Sequence, residues 1–339
     1  MNTVPIEEAV GMVLPHDLTR IVPGEIKRVE FKKGHIIREQ DIEILKSMGK
    51  DHIYVMELNE GYLHENTAAS RMASAIGGKS LSIGEPKEGK AEFKAKTDGI
   101  FRVDTEKLYD ISDIDGLTIS TIHDYTPVKA GKHAASCKIT PLVIEESRIE
   151  EAERIAGDDG IFRILPFADK KVGFVITGDE VYYGRIKDGF LPVFKEKLEE
   201  YGGQFLDVVY CPDEAGKITE AILSLIGRGA QIICTGGGMA VDADDATPDG
   251  IRNTGAEIVK YGTGVLPGGV FMMAYLGDIP ILGVPACAIF DGRTIFDILY
   301  PRVLADIRIT RRDIVMLSHG GLCQKCGVCY YPVCPFGKP

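Results

Sequence analysis

The sequence lacks any run of about eighteen uncharged apolar residues, so no membrane-crossing helix and no membrane partner are expected. Its opening residues, Asn2-Thr3-Val4-Pro5-Ile6-Glu7-Glu8, have neither the basic stretch nor the apolar core of a secretory leader. Export is therefore not expected, and the cytoplasm is the expected compartment. Positive charge is scarce: 39 Lys and Arg stand against 50 Asp and Glu, a formal net charge of −11. Duplex nucleic acid is held mainly by Lys and Arg on phosphates, so that balance argues against a nucleic-acid partner. It leaves room for a small anion gripped by backbone N–H groups. No G-x-G-x-x-G follows a strand and no G-x-x-x-x-G-K-[ST] occurs, so the dinucleotide fingerprint and the P-loop are both missing. No internal repeat or low-complexity linker is present.

What is present suffices for a large core. The chain has 339 residues, 45% of them hydrophobic and 26% charged. Wholesale disorder is excluded, and two or three domains of roughly 100–200 residues are expected. Composition and punctuation divide the chain into an α+β unit over 1–78, a β-rich module over 79–145, a helical linker over 146–169, an α/β domain over 170–312 and a cysteine-rich tail over 313–339.

In the first unit, Val29-Glu30-Phe31 reads as a strand. Ile42, Leu45 and Met48 recur at helical spacing and predict a helix over 39–49, stopped by Gly49. Ile53-Tyr54-Val55 reads as a strand, and 62–76 as a helix ending at Gly77-Gly78. In His64-Glu65-Asn66, Asn66 is the expected helix N-cap, a reading favoured over a pterin or metal contact. Lys32, Lys33 and His35 read as a solvated turn. Short runs at 99–103 and 117–121, separated by turn residues, predict strands. Ile149, Ala152 and Ile155 predict a helix over 146–157 whose glutamates face solvent.

From 170 onward strand and helix alternate. Apolar runs at 172–176, 205–210, 230–234 and 279–284 predict strands, and amphipathic stretches at 190–201, 215–227 and 294–305 predict helices. That order means a parallel sheet with helices on both faces. Ligands of such sheets sit beyond the carboxyl ends of the strands.

Two loops fall at those ends. One is Thr177-Gly178-Asp179-Glu180, continuing to Asp188. The other runs Thr235-Gly236-Gly237-Gly238-Met239-Ala240-Val241-Asp242-Ala243-Asp244-Asp245-Ala246-Thr247-Pro248. Consecutive glycines let backbone approach a ligand and turn N–H groups toward an anion. Asp242, Asp244 and Asp245 have the chemistry to hold Mg²⁺, which takes one or two carboxylates with phosphate and water. Asp188 and Thr247-Pro248 read as helix N-termini. Leu266-Pro267-Gly268-Gly269 and Gly283-Val284-Pro285-Ala286-Cys287 are candidates for the rim. The plain alternative is a tight turn flanked by helix-capping aspartates.

The succession T-G-D-E, G-x-x-x-D, T-G-G-G-M-A-V-D-A-D-D-A-T-P and L-P-G-G resembles the molybdopterin-binding domain of molybdenum cofactor biosynthesis proteins. That family includes molybdopterin molybdenumtransferases and the corresponding domains of gephyrin. The resemblance covers about residues 170–310 and extends to Lys33-Gly34-His35 through Gly49 and to Ile53-Tyr54-Val55. It implies that Asp179 and Glu180 lie near the molybdate site, with Asp188 the acidic residue after the first loop. It implies that Gly236, Gly237 and Gly238 form the loop that takes the pterin's phosphate end, and that Thr177, Gly178, Asp179, Thr235 and Thr247, with Pro267 and Gly268, help bind the cofactor. Asp242, Asp244 and Asp245 match the family's Mg²⁺-binding stretch, and Pro267 and Gly268 its P-G loop. Glu180, Asp188 and Asp245 become the expected catalytic groups.

The implied reaction inserts molybdate into adenylylated molybdopterin with Mg²⁺ and releases AMP. Two positions depart from the pattern. The family's L-P-G-N-P reads Val284-Pro285-Ala286-Cys287-Ala288, and its N-terminal D-G-Y-A is missing. Both leave open a carrier or sensor that binds finished cofactor for an apo-molybdoenzyme. Cys287 reads either as a thiolate facing molybdenum or as a small buried residue. The resemblance also suggests a homodimer.

Of the eight cysteines, Cys323, Cys326, Cys329 and Cys334 crowd the tail. Cytosolic thiols stay reduced, and clustered ones are more often metal ligands than disulfides. The spacing C-x₂-C-x₂-C-x₄-C-P is one residue longer than a bacterial ferredoxin run. A [4Fe–4S] cluster and a Cys₄ zinc site both fit, as does an unstructured reduced tail. His319 is an extra candidate ligand or a solvent-facing loop residue.

Overall fold

The computed structural model describes residues 2–22, 24–55, 60–240 and 245–338, and the chain divides into two units. The first comprises Met1–Lys96, Val103–Thr121 and Gly131–Arg163; the second comprises Thr97–Arg102, Ile122–Ala130 and Ile164–Pro339. Among the described residues, no helix is long and apolar enough to cross a membrane.

In the first unit, strand Ile26–Phe31 pairs with Leu18–Val22, and His52–Val55 with Asn2–Pro5. The helix Asp41–Ser47 buries Leu45 against Ile6, Leu14 and Ile37. The β-rich module is a four-stranded antiparallel sheet built from Leu81–Ile83, Lys90–Ala95, His133–Ile139 and Leu117–Thr121. The helix expected over 62–76 begins later, as Glu65–Ile76, because Tyr62–His64 is a strand paired with Val143–Glu145. His64, not Asn66, is consequently the N-cap, accepting from the Asn66 amide at 3.2 Å. The Asn66 side chain instead accepts from the Gly89 amide at 2.8 Å. The helix Glu146–Ala156 buries Ile149, Ala152 and Ala156 rather than Ile155. Its Glu153 holds Arg71 of the helix Glu65–Ile76 at 2.8 Å.

The second unit carries the α/β domain. In chain order its elements are β1 (Lys171–Thr177), α1 (Asp179–Tyr182), α2 (Phe190–Tyr201), β2 (Gln204–Cys211), α3 (Ala215–Gly227) and β3 (Ile232–Gly236). Then follow α4 (Thr247–Asn253), β4 (Glu257–Tyr261), β5 (Met272–Leu276), β6 (Ile279–Val284), α5 (Cys287–Phe290), α6 (Ile295–Leu304) and α7 (Arg311–Met316). The sheet order is β2-β1-β3-β6-β5-β4. The first four strands in that order are parallel, as expected. The last two were not expected and turn the edge antiparallel. Met272-Met273-Ala274-Tyr275-Leu276 is apolar but carries no β-branched residue, so pattern alone did not mark it. The consequence is geometric: β4 runs parallel to β6, so the β4–β5 hairpin, which holds Leu266-Pro267-Gly268-Gly269, lies at the carboxyl edge with the other loops.

Both faces of the sheet are covered. Val172, Phe174 and Ile176 face one core, with Phe194 of α2 and Leu299 and Tyr300 of α6. Val175 faces the other, with Ile218, Ile222 and Leu225 of α3. Alternate residues of β1 thus serve opposite cores, which is why the strand reads as unbroken apolar sequence. All ten residues of α6 are buried.

The tail is docked. The Leu266 amide donates to the Gly321 carbonyl at 2.8 Å, and the Cys323 amide to the Leu266 carbonyl at 2.9 Å. Tyr331 Oη donates to the Asp297 carbonyl at 2.9 Å, and Phe336 is buried in the α2–α6 core. An unstructured tail is therefore set aside by its apolar anchors.

Candidate functional site

The carboxyl ends of β1, β2 and β3 bring three loops together. Thr177 closes β1, and its hydroxyl lies 3.0 Å from that of Thr247 at the start of α4. Thr247 in turn donates from Oγ1 to the Gly237 carbonyl at 2.9 Å and from its amide to the Gly238 carbonyl at 3.2 Å. The two threonines are buried, and their hydroxyls bind the loops to each other. What a ligand would meet is the backbone of the glycine turn.

The three glycines differ in role. A Cβ on Gly236 would lie 2.6 Å from the Phe190 ring, so this glycine lets α2 pack against β3. Gly237 has φ +102°, and a Cβ there would lie 2.3 Å from the Thr177 carbonyl. Gly238 has φ +54° and faces Asp213 Oδ1, 3.1 Å from where its Cβ would be. The second and third glycines thus shape the turn. Met239 is buried against Gly283 of β6 and pins the far side of the loop. Thr235 is fully buried, and its hydroxyl has no partner among the described residues.

Asp213, which sequence reasoning passed over, is central. The Asp179 amide donates to Asp213 Oδ2 at 3.0 Å, and the Asp213 amide donates to Asp179 Oδ1 at 3.1 Å. This reciprocal pair ties the β1 loop to the β2 loop. Asp213 Oδ1 is buried with no hydrogen-bond partner among the described residues. Burial pushes its pKa up; the Asp179 amide works against that, and the charges of Glu180, Asp179 and Asp245 add to it. A sequence signal existed: Cys211-Pro212-Asp213 sits at a parallel strand's carboxyl end, where ligands bind.

Of the expected acids, Asp179 and Glu180 are exposed and Asp245 is half-buried. The Glu180 carboxylate curls back over Gly178, whose φ of +130° keeps that side open. Asp242 and Asp244 lie outside the described residues. Asp188 accepts from the Phe190 amide at 2.7 Å, the Leu191 amide at 3.2 Å and Tyr210 Oη at 3.1 Å. It holds the start of α2, the N-terminal position expected for it. Burial, then the bond to Asp188, raises the Tyr210 pKa.

Pro267 and Gly268 are placed against α6. The Ile295 amide donates to the Pro267 carbonyl at 3.2 Å, and a Cβ on Gly268 would lie 2.4 Å from Ile295. Cys287 is half-buried at the start of α5; burial, then Asp291, raises its pKa, away from the thiolate form. His319 is exposed.

Residues 173–305 match the model described as a probable molybdopterin binding domain, and residues 3–57 match a domain of unknown function (DUF8806). A CinA-like protein of Mycolicibacterium vanbaalenii is 34% identical over 90 residues, 26% of this chain and 21% of that protein. One from Mycobacterium avium is 33% identical over the same length and the same shares. The match therefore spans about a fifth of these curated relatives. A putative molybdenum cofactor biosynthesis protein from Corynebacterium diphtheriae is 18% identical with a TM-score of 0.35, over 41% of this chain and 95% of that one. A tungsten cofactor synthesizing protein, MoaB, from Pyrococcus furiosus is 18% identical with a TM-score of 0.34, over 42% and 97%.

Proposed function

We propose that this chain, whose residues 173–305 match the model of a probable molybdopterin binding domain, binds molybdopterin and inserts molybdate into its adenylylated form, with Mg²⁺ and release of AMP. The observation that carries this reading is Asp213. One of its oxygens ties two loops together; the other is buried, unpartnered among the described residues, beside the glycine turn. A raised carboxyl pKa amid three further acids marks a place where a cation would be welcome.

The phosphate end of the pterin would meet the N–H groups of the turn at 236–238. Negative charge from Asp179, Glu180, Asp213 and Asp245 would repel that phosphate unless a dication intervened. The donor set suits Mg²⁺. Among the described residues no three His, Cys, Asp or Glu groups converge enough to ligate one ion unaided. Mg²⁺ commonly uses only one or two carboxylates and completes its shell with water and substrate phosphate. Asp213 and Asp245 would hold it, and when bound it would neutralise phosphate charge at the bond being broken. Glu180, at the exposed mouth over Gly178, would face molybdate. Asp188 would keep α2 in place beneath.

A second reading, a carrier or sensor serving an apo-molybdoenzyme, is favoured by the loop Val284-Pro285-Ala286-Cys287-Ala288. Cys287 there is half-buried with a raised pKa, which suits packing better than metal contact. Either reading carries a cytoplasmic location and a homodimer, checked by fractionation and sedimentation.

The test incubates anaerobically purified full-length protein with adenylylated molybdopterin, Mg²⁺ and molybdate. AMP release that falls by roughly a hundredfold in Glu180→Gln is the expected outcome. Tight pterin retention without AMP release would establish the carrier reading. Neither binding nor release would remove both.

A further inference from the structure

We propose that Cys323, Cys326, Cys329 and Cys334 bind a [4Fe–4S] cluster in a cavity between the tail and the loop that precedes α6, a site independent of the pterin reading. All four cysteines line one cavity of about 260 Å³, with Pro267, Phe290, Tyr330 and Phe336 also on its wall. Their spacing, C-x₂-C-x₂-C-x₄-C-P, supplies three thiolates from one tight loop and a fourth from beyond it.

The shape of the site favours a cluster over a single ion. Four thiolates on zinc meet at one point, about 2.3 Å from the metal, and leave no cavity between them. Here no three of the described Cys, His, Asp or Glu side chains meet in that way, yet four cysteines line one volume. A polynuclear core fills such a volume. The backbone around it is fixed at both ends. Cys323 is bonded to Leu266 at 2.9 Å, Cys334 packs against the same core as Phe336, and Tyr331 is bonded to α6 at 2.9 Å. Between these anchors Cys326 and Cys329 are exposed, so the loop is open to loading from solvent.

Charge and polarity agree. Four thiolates around an iron–sulfide core carry net negative charge, which neighbouring cations and an apolar shell tune. Lys325, between two of the cysteines, is held at 2.8 Å by Asp291, and Arg293 also lines the cavity. Aromatic and proline side chains supply the shell.

The test reconstitutes anaerobic full-length protein with ferrous iron and sulfide, then measures iron, acid-labile sulfide and visible absorption. About four irons and four sulfides per chain, with a broad charge-transfer band and an EPR signal after dithionite, are expected. Cys326→Ser with Cys329→Ser should bring iron to background without changing the circular dichroism, since both side chains are exposed. Cys211→Ser, on β2 outside this cavity, should load as the parent does. Tight zinc binding with no sulfide uptake, about two irons and two sulfides, or no retained iron would each overturn the proposal. Loading by the parent chain decides the matter even where a variant misfolds.

Discussion

A carboxylate oxygen buried without a partner costs stability when ionised, and Asp213 has one with no partner among the described residues. Its folded pKa is raised above that of an unfolded aspartate. Between those two values the native state holds more protons than the unfolded state, so stability falls as pH rises through the window. Above the folded pKa the loss is complete. Asp213→Asn should therefore match the parent in melting temperature below the ordinary carboxylate pKa of about 3.9 and exceed it near neutrality. The gain should be small, about 1 kcal/mol or less, because the group is partly solvated. Mg²⁺-dependent AMP release should fall at least about tenfold in the same variant. Paired melts across pH, with turnover assays, check both halves; a variant that loses stability at neutral pH would remove the argument. At this scale the sequence was partly legible. Glycines announced the turn, because residues with φ above zero favour one side chain type. Asp213 stayed hidden, because nothing in Cys-Pro-Asp-Glu shows that its partner is Asp179, across a parallel strand.

Elements show the same division. Ala215–Gly227 and Phe190–Tyr201 follow the expected boundaries, because each is a long amphipathic stretch. The β4–β5 hairpin was not legible, because its strands are short and their pairing is set by the whole sheet. Nor did the sequence reveal how much depends on α6. Its Asp297, 1% exposed, receives Lys197 at 2.7 Å, Arg293 at 2.9 Å and Tyr201 Oη at 3.2 Å. It also completes the helix's capping box with Thr294. Breaking one side of a buried ion network leaves charges uncompensated, typically costing about 3–5 kcal/mol. Asp297→Ala should lower unfolding free energy by that amount in urea. Asp297→Asn, which keeps an acceptor for the Thr294 amide, should cost less. Equal losses would show that capping geometry matters little there.

For the whole molecule, the docked tail rules against the unstructured alternative for residues 313–339. Residues 319–338 contribute Phe336 to the core and cover Ile298 with Gly337. Ending the chain at Ser318 should destabilise the second unit by at least about 2 kcal/mol, the burial of one phenylalanine. A drop in the thermal midpoint of that unit checks it; an unchanged midpoint would mean the tail is ornamental to the fold. The fold class was legible from alternation of strand and helix, whereas the tail's docking was not, since it rests on spaced anchors such as Tyr331 and Phe336 rather than on a pattern. Leu266 is 55% exposed, yet its amide and its carbonyl are both bonded to the tail. Backbone so engaged exchanges its hydrogens slowly. A loop at the surface should therefore keep its deuterium clock at the pace of a strand, and should lose that protection together with the tail.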